Sequence, residues 1–358
     1  MCGRAEKGKD DTSPDDSSFM NTIRHGHTHL ITKMELYTDR LTRTKHDSTN
    51  STHEPPTNRS GKKGSELVLV DDPAPFVRRI TLNRPEKRNA MNHLMRGQLF
   101  EALRMADQDP SVRVTIIRGS GDAFCSGYDI TMDMTEPLPR HEAGGQGRFQ
   151  RSVLAMWFMM MDLAKPIIAQ VHGHCLAGGS ELAAACDVVV VAESAKVGYP
   201  PVRSMGLPDM QIFPWVMGLR QSMYLMLTGD SMNGRQAMEF GWATRCFKEN
   251  ELEANTLNIA KRIARIPSDL LQMNKRSVHR AMEAMGMRTH LRMHTDLSAL
   301  SQESPSAKDF MKRMYEDSQL GNTKAFTDAL NRRDGKFSDG RVAKRKNKKM
   351  RVVGRSKL

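Results

Sequence analysis

The 358-residue chain is short of the features that define several large protein classes. No apolar run approaches the roughly 18–20 residues that a membrane span needs, and the nearest candidate, Val188 to Ala192, has the length of one buried strand. Cysteine is sparse: Cys2, Cys125, Cys175, Cys186 and Cys246 are odd in number and widely spaced, and three lie in apolar contexts. That pattern fits small buried thiols in a reducing compartment better than a disulfide framework. No CxxC or other zinc spacing occurs, so no metal site is expected. There is no GxGxxG and no phosphate loop with its Lys-Ser/Thr, which removes the two commonest nucleotide cradles.

Acidic residues are missing from one place. From Arg341 to Leu358 there are nine Lys or Arg and no Asp or Glu, and this stretch supplies most of the +13 net charge. Residues 1–64 hold eleven basic and nine acidic side chains, which leaves the body near neutral. A near-neutral body with a basic tail does not describe a nucleic-acid-binding domain, and the tail reads as a solvated extension.

What remains is a polar leader, a layered body and that tail. Residues 1–64 lack apolar periodicity and are expected to be disordered; His25, His27 and His29 belong to this leader and do not suggest a metal centre. Its lack of an apolar segment excludes a secretory signal, and its acids argue against a transit peptide. Order is expected from Glu66. Leu67 to Val70 and Val77 to Leu82 read as strands joined by an Asp-Asp-Pro-Ala-Pro turn. Asn92 caps a predicted helix running to about Ala106, with Leu94, Leu99, Leu103 and Met105 as its apolar positions. Strands over 112–118, 166–171 and 187–192 alternate with helices over 151–163 and 179–186, the mark of an α/β layered fold. Helices over 234–240, 251–266, 267–284 and 305–317 follow, the last with Ser304 as its cap. The organisation expected is a leader (1–64), an α/β core (65–247), a helical region (248–325) and a flexible tail (326–358).

One segment carries chemistry. His172 to Ala183 runs from a strand through Gly178-Gly179 into a helix, where free backbone amides face outward and can stabilise a carbonyl oxygen gaining charge. Glu181 follows Gly178 by three residues, about one helical turn, and is placed to move a proton near that carbonyl. Alone, the junction is weak evidence, and close helix–strand packing explains it better.

A second segment, Phe124-Cys125-Ser126-Gly127-Tyr128-Asp129-Ile130, removes that ambiguity. Together with Ile80 to Met91 (containing Asn83-Arg84-Pro85 and Asn89-Ala90) and Gly178-Gly179-Ser180-Glu181-Leu182, it resembles the crotonase (enoyl-CoA hydratase/isomerase) superfamily over about residues 66–325. The resemblance implies a spiral of β-β-α turns with a C-terminal helical trimerisation region, and assembly as a homotrimer or hexamer. It implies an acyl-CoA substrate, with coenzyme A entering as part of the substrate and no separate cofactor. The oxyanion hole would fall on the backbone amides of Tyr128 and Gly178, and Glu181 would be the first of a pair of catalytic glutamates. Arg88, Ala90, Ser126, Gly127, Tyr128, Asp129, Ile130 and Gly178 would hold the coenzyme A portion, with Asp129 anchoring its loop.

The chain departs from the family at the second glutamate, where Pro201 stands. Proline transfers no proton. Asp209, eight residues on, is a candidate replacement or an ordinary loop aspartate. The implied activity is of enoyl-CoA hydratase type, adding or removing water or protons on the acyl chain in fatty-acid β-oxidation. Alternatives are enoyl-CoA isomerisation or another crotonase reaction, such as hydrolysis, using Glu181 with or without Asp209, or a homologue that binds acyl-CoA without turnover. Trp157 to Met161 reads as core or acyl-pocket wall, and His172 and His174 as packed histidines. The terminal Ser356-Lys357-Leu358 matches the address read by the peroxisomal import receptor, implying a peroxisomal location in a eukaryote and a cytoplasmic one otherwise.

Overall fold

A computed structural model describes residues 66–129 and 148–319. The chain divides into two units, Met1–Gly64 and Ser65–Leu358, and the description concerns the second. The leader, Ile130, the tail from 326 and its Ser356-Lys357-Leu358 end lie outside the described residues.

Strands β1 (Val68–Ala74) and β2 (Val77–Leu82) form an antiparallel hairpin. Its turn is shorter than the sequence implied. Asp71 and Asp72 stay in the strand because their carboxylates pair with Arg79 and Arg78 of β2, so the reversal falls at Pro75-Phe76 after a register shift. Helix α1 (His93–Gln108) starts as expected, with the Asn92 side chain accepting from Met95 N at 2.8 Å. Met95, Leu99, Phe100, Leu103 and Ala106 form its buried face, together with Arg96. Leu94 and Met105, expected among them, are exposed. They lie five residues before Leu99 and two after Leu103, which at about 100° per residue puts both on the far side.

From here the chain lays down strands alternately in two sheets. Strands β3 (Val114–Gly119), β5 (Ile167–Val171) and β7 (Val188–Ala192) extend the sheet begun by β2, all in parallel. Each is followed by a three-residue strand, β4 (Ala123–Cys125), β6 (His174–Leu176) and β8 (Lys196–Gly198), which pair in parallel in a second sheet. Helices α2 (Arg148–Asp162) and α3 (Gly178–Ala184) close the first two of these turns. The result is the expected α/β spiral of β-β-α turns. After α4 (Phe213–Met217) and α5 (Leu219–Thr228), β9 (Ser231–Asn233) caps the small sheet, giving the order β4-β6-β8-β9. Helix α6 (Gly234–Glu239) leads to β10 (Arg245–Phe247), and the large sheet reads β1-β2-β3-β5-β7-β10. Buried on both faces, β5 and β7 are near-continuous apolar runs, as parallel strands covered by helices must be.

Helices α7 (Glu249–Ala264), α8 (Ser268–Ala284), α9 (Met287–Gln302) and α10 (Pro305–Gln319) complete the described residues. Ser304 caps α10 by accepting from Ala307 N. Hydropathy does not reveal α9, because its inward face carries His294, Thr295 and Ser298 alongside Leu291 and Ala299. Trp157 and Met160 are wholly buried core residues of α2, with the Trp157 ring tilted against Phe100. Cys125 and Cys175 are buried free thiols, and burial pushes the Cys125 thiol up to about 12. None of the helices among the described residues is long and apolar enough to cross a membrane.

Candidate active site

The site is built where the first two spiral turns touch. After β4, Ser126 N donates to Arg88 O, Met91 N to Gly127 O, and Asp129 N to Met91 O, all within 3.0 Å. Gly127 and Asp129 thus face Met91, and strand alternation leaves the Tyr128 N–H on the opposite edge. On that edge lies α3. A Cβ placed on Gly127 would sit 3.3 Å from Gly178 N, so the two segments touch backbone to backbone. Gly178 is the first residue of α3, ahead of Ser180 N and Glu181 N, which both bond to Ala177 O. Ala177 itself has φ 51°, a conformation that costs a non-glycine residue about 1–3 kcal/mol.

The 84–91 loop explains the Asn-Arg-Pro run. Asn89 is fully buried with φ 54°, and its side chain accepts from Arg84 N while donating to Ser120 O and Ala123 O. Arg84 pairs with the buried Asp129 at 2.9 Å and donates to Ala90 O at 2.6 Å. Asp129 is therefore an anchor between the two segments. Arg88 is exposed, with φ 50°, whereas Ala90 is buried. Ser126 is half-buried beside Lys87 O.

Glu181 is 0% exposed and both of its oxygens are held. Oε1 accepts from Met210 N and Oε2 from the Tyr128 phenol, each at 3.1 Å. The Tyr128 ring also packs against Gly178: a Cβ there would meet its Cε2 and Cζ at 2.8 Å. Arg96 of α1 stacks over that ring at 5.6 Å and over Phe149 of α2 at 5.8 Å. Its guanidinium also donates to His93 Nδ1 at 2.6 Å.

Asp209 stands beside Glu181, buried, with Ser298 Oγ donating to Oδ1 at 3.3 Å. Burial raises it from the usual 3.8 to about 7, against the opposing pull of Ser298 and Arg96. Burial, and then the neighbouring Asp209, push Glu181 well above the carboxylate range, opposed by its hydrogen bonds to Met210 and Tyr128. Two buried carboxylates within electrostatic reach of each other, both with a raised proton affinity, suit proton transfer. Tyr199 is a third buried acid of the cluster, with its hydroxyl 3.5 Å from Leu207 O and its phenol raised by burial and by both carboxylates.

Pro201 is the second residue of a 3₁₀ turn (Pro200–Arg203), and its carbonyl accepts from Ser204, Met205 and Gly206. That turn sends the chain back so that 207–210 covers Glu181. Helix α9 holds this loop in place. Ser301 accepts from Leu207 N, Ser298 bonds Leu207 O, and His294 donates to Pro208 O at 2.9 Å. The sequence reading missed Arg96, His294, Ser298 and Met210; a polar i, i+4 pair on one helix face was the available signal for two of them. His172 Nε2 is 2.9 Å from Gly121 O, a packing role, and His174 is half-buried with its basicity lowered by burial.

The Asp209 shift has a measurable consequence. Below about pH 4 the carboxyl is neutral in folded and unfolded chains alike; between about 4 and 7 only the unfolded chain releases the proton. This group therefore removes stability as pH rises through that window. Asp209→Asn is expected to flatten the decline, so its denaturant midpoint gains on wild type between pH 5 and pH 8. Parallel pH trends for the two proteins would contradict the shift.

A family model described as enoyl-CoA hydratase/isomerase matches residues 75–320, a span that contains every group just described. The chain belongs to the enoyl-CoA hydratase/isomerase family. Among its relatives is a "Probable enoyl-CoA hydratase" of Rhizobium meliloti, 31% identical over 258 residues, covering 69% of this chain and 96% of that protein. A mevalonyl-coenzyme A hydratase of Aspergillus fumigatus is 31% identical over 236 residues, 60% of this chain and 79% of the relative. Among solved structures, an enoyl-CoA hydratase/isomerase from Xanthobacter autotrophicus Py2 superposes with a TM-score of 0.67 at 30% identity, covering 75% of this chain and 99% of that one. Within the matched span the chain has Glu181 in α3 and proline at position 201.

Proposed function

We propose that this chain activates acyl-CoA thioesters, adding or removing water on a 2-enoyl chain. The observation that carries the reading is the Glu181 carboxylate held on both oxygens one turn into α3, whose first amide is that of Gly178. The amides of Tyr128 and Gly178 receive the thioester oxygen as it gains charge, and each such donor contributes about 2.7–4 kcal/mol. Glu181 then moves the proton at the neighbouring acyl carbons. Arg88, Ala90, Ser126, Gly127 and Asp129 line the coenzyme A portion, which enters as part of the substrate; no separate cofactor takes part. Relatives carrying hydratase names support the choice of reaction.

Asp209 gives a second reading its own support. A buried acid facing Glu181 can return at one carbon the proton that Glu181 takes at another, which is double-bond isomerisation. Incubation with crotonyl-CoA and longer 2-enoyl-CoA thioesters, following loss of the conjugated thioester absorbance, separates the two. Turnover that survives Asp209→Asn supports hydration by Glu181; loss of turnover supports the paired-acid reaction. Coenzyme A thioester binding without turnover of any substrate overturns both.

The working unit is a homotrimer or a hexamer. Leu219, Met223 and Leu227 repeat every four residues along α5 and are 50–75% exposed in the single chain, as are Met273 and Val278 of α8 and Leu297 and Leu300 of α9 at 56–66%. Apolar side chains presented this way call for a covering surface.

A further inference from the structure

Three kinds of group surround Glu181. Met210 N and Asp209 come from the loop after the Pro200–Arg203 turn, Tyr199 precedes that turn, and Tyr128 arrives from the segment after β4. Of these, only Tyr128 places a side-chain donor on Oε2. Its ring cannot swing away freely. It lies against Gly178 on one side, meets Phe149 edge-on at 5.9 Å, and carries the Arg96 guanidinium at 5.6 Å.

We propose that the Tyr128 side chain, as distinct from its backbone amide, is a positioning residue for Glu181, holding Oε2 in place through its phenol. The inference rests on Glu181 being the proton-transfer group of the proposed reaction. With Glu181 ionised the phenol donates to Oε2; once Glu181 has accepted a proton, the carboxyl O–H points back at the phenol oxygen. One contact therefore serves both protonation states without moving the carboxylate. Because the same residue offers its N–H to the thioester oxygen, the distance between the oxyanion site and the proton-transfer oxygen is fixed within a single residue. Burial and the charges of Glu181 and Asp209 raise the phenol well above 10, so it remains a donor across the working pH range. The charged and titratable groups facing this contact are Asp209 and Tyr199, Arg96 with His93 from α1, and, behind the loop, His294 of α9.

Tyr128→Phe keeps the ring, its packing and the backbone amide and removes only the donor. The expected result is a fall in kcat of about ten- to a hundredfold with KM for the enoyl-CoA changed by less than about twofold. The acid limb of the kcat/KM profile should also move to higher pH, because Glu181 loses a bond that favours its ionised form. Wild-type kcat with an unmoved acid limb overturns the proposal. If the Phe variant fails to fold, 3-fluorotyrosine placed at position 128 keeps ring and hydroxyl but strengthens the donor. The limb should then move to lower pH, and an unmoved limb again overturns the proposal. A wild-type enzyme that needs Glu181 but ignores the phenol defeats this inference alone; turnover retained by Glu181→Gln defeats the reaction assignment beneath it.

Discussion

Glu181→Gln should lower kcat on 2-enoyl-CoA by roughly 10²–10⁴-fold, the range that a positioned acid–base group contributes. Glutamine has nearly the same shape and can still accept from Met210 N through its carbonyl, so α3 and the 207–210 loop should keep their places. Stability should be unchanged or improved, because the variant no longer carries a carboxyl whose ionisation burial opposes. The diagnostic outcome is a folded, thioester-binding protein without turnover. Measured by the absorbance assay beside a thermal melt, activity above one tenth of wild type would remove Glu181 from the reaction. A large drop in melting temperature would mean that the loss of activity reports folding instead.

Gly179→Ala should act on the frame of the site and leave its chemical groups in place. An added Cβ would sit 2.2 Å from the Cys125 carbonyl oxygen and 2.9 Å from Cys125 Cβ. Much of that obstacle is backbone, so no rotamer change relieves it. The β4 segment and α3 must separate, at a cost of about 1–3 kcal/mol or more. Those two elements carry Tyr128 and Gly178, so activity should fall with stability even though Glu181 remains. Gly97→Ala is the matched control. In α1 an added methyl group there meets no atom within 4 Å, and a helix-interior alanine should gain about 0.5–1 kcal/mol over glycine. Chemical denaturation of both variants beside wild type tests the pair: equal midpoints for Gly179→Ala and wild type would show that the two segments do not need their close approach.

Much of the site was legible because it is made of backbone and of residues with one job. Gly178, Gly179 and Glu181 announce a helix start with an acid one turn in, whereas the Arg84 and Asn89 run was legible only through its resemblance to a family, its locking contacts appearing with the fold. The hairpin turn was misplaced because Asp71 and Asp72, turn formers by propensity, are held in a strand by Arg79 and Arg78. Leu94 and Met105 were misassigned because apolar character was weighed ahead of phase around the helix axis. The deeper omission was α9. Its buried stripe is polar because His294 and Ser298 must bond a loop nearly ninety residues away, and no local pattern encodes a partner that distant. The same applies to Asp209: only the fold brings it to Glu181, and with it the raised proton affinity of both.

The two donors on the Glu181 carboxylate have a consequence for how the protein fails. Tyr128, Glu181 and Met210 belong to three successive stretches of the winding chain, and the last is held in turn by α9. The carboxylate is thus a clasp joining strands of chain laid down at different times. Opening any one of them releases an oxygen of Glu181 before the rest of the molecule has come apart. Heat or denaturant should therefore silence the enzyme no later than the first of these stretches to fray, making catalysis a more sensitive gauge of intactness than overall helix content.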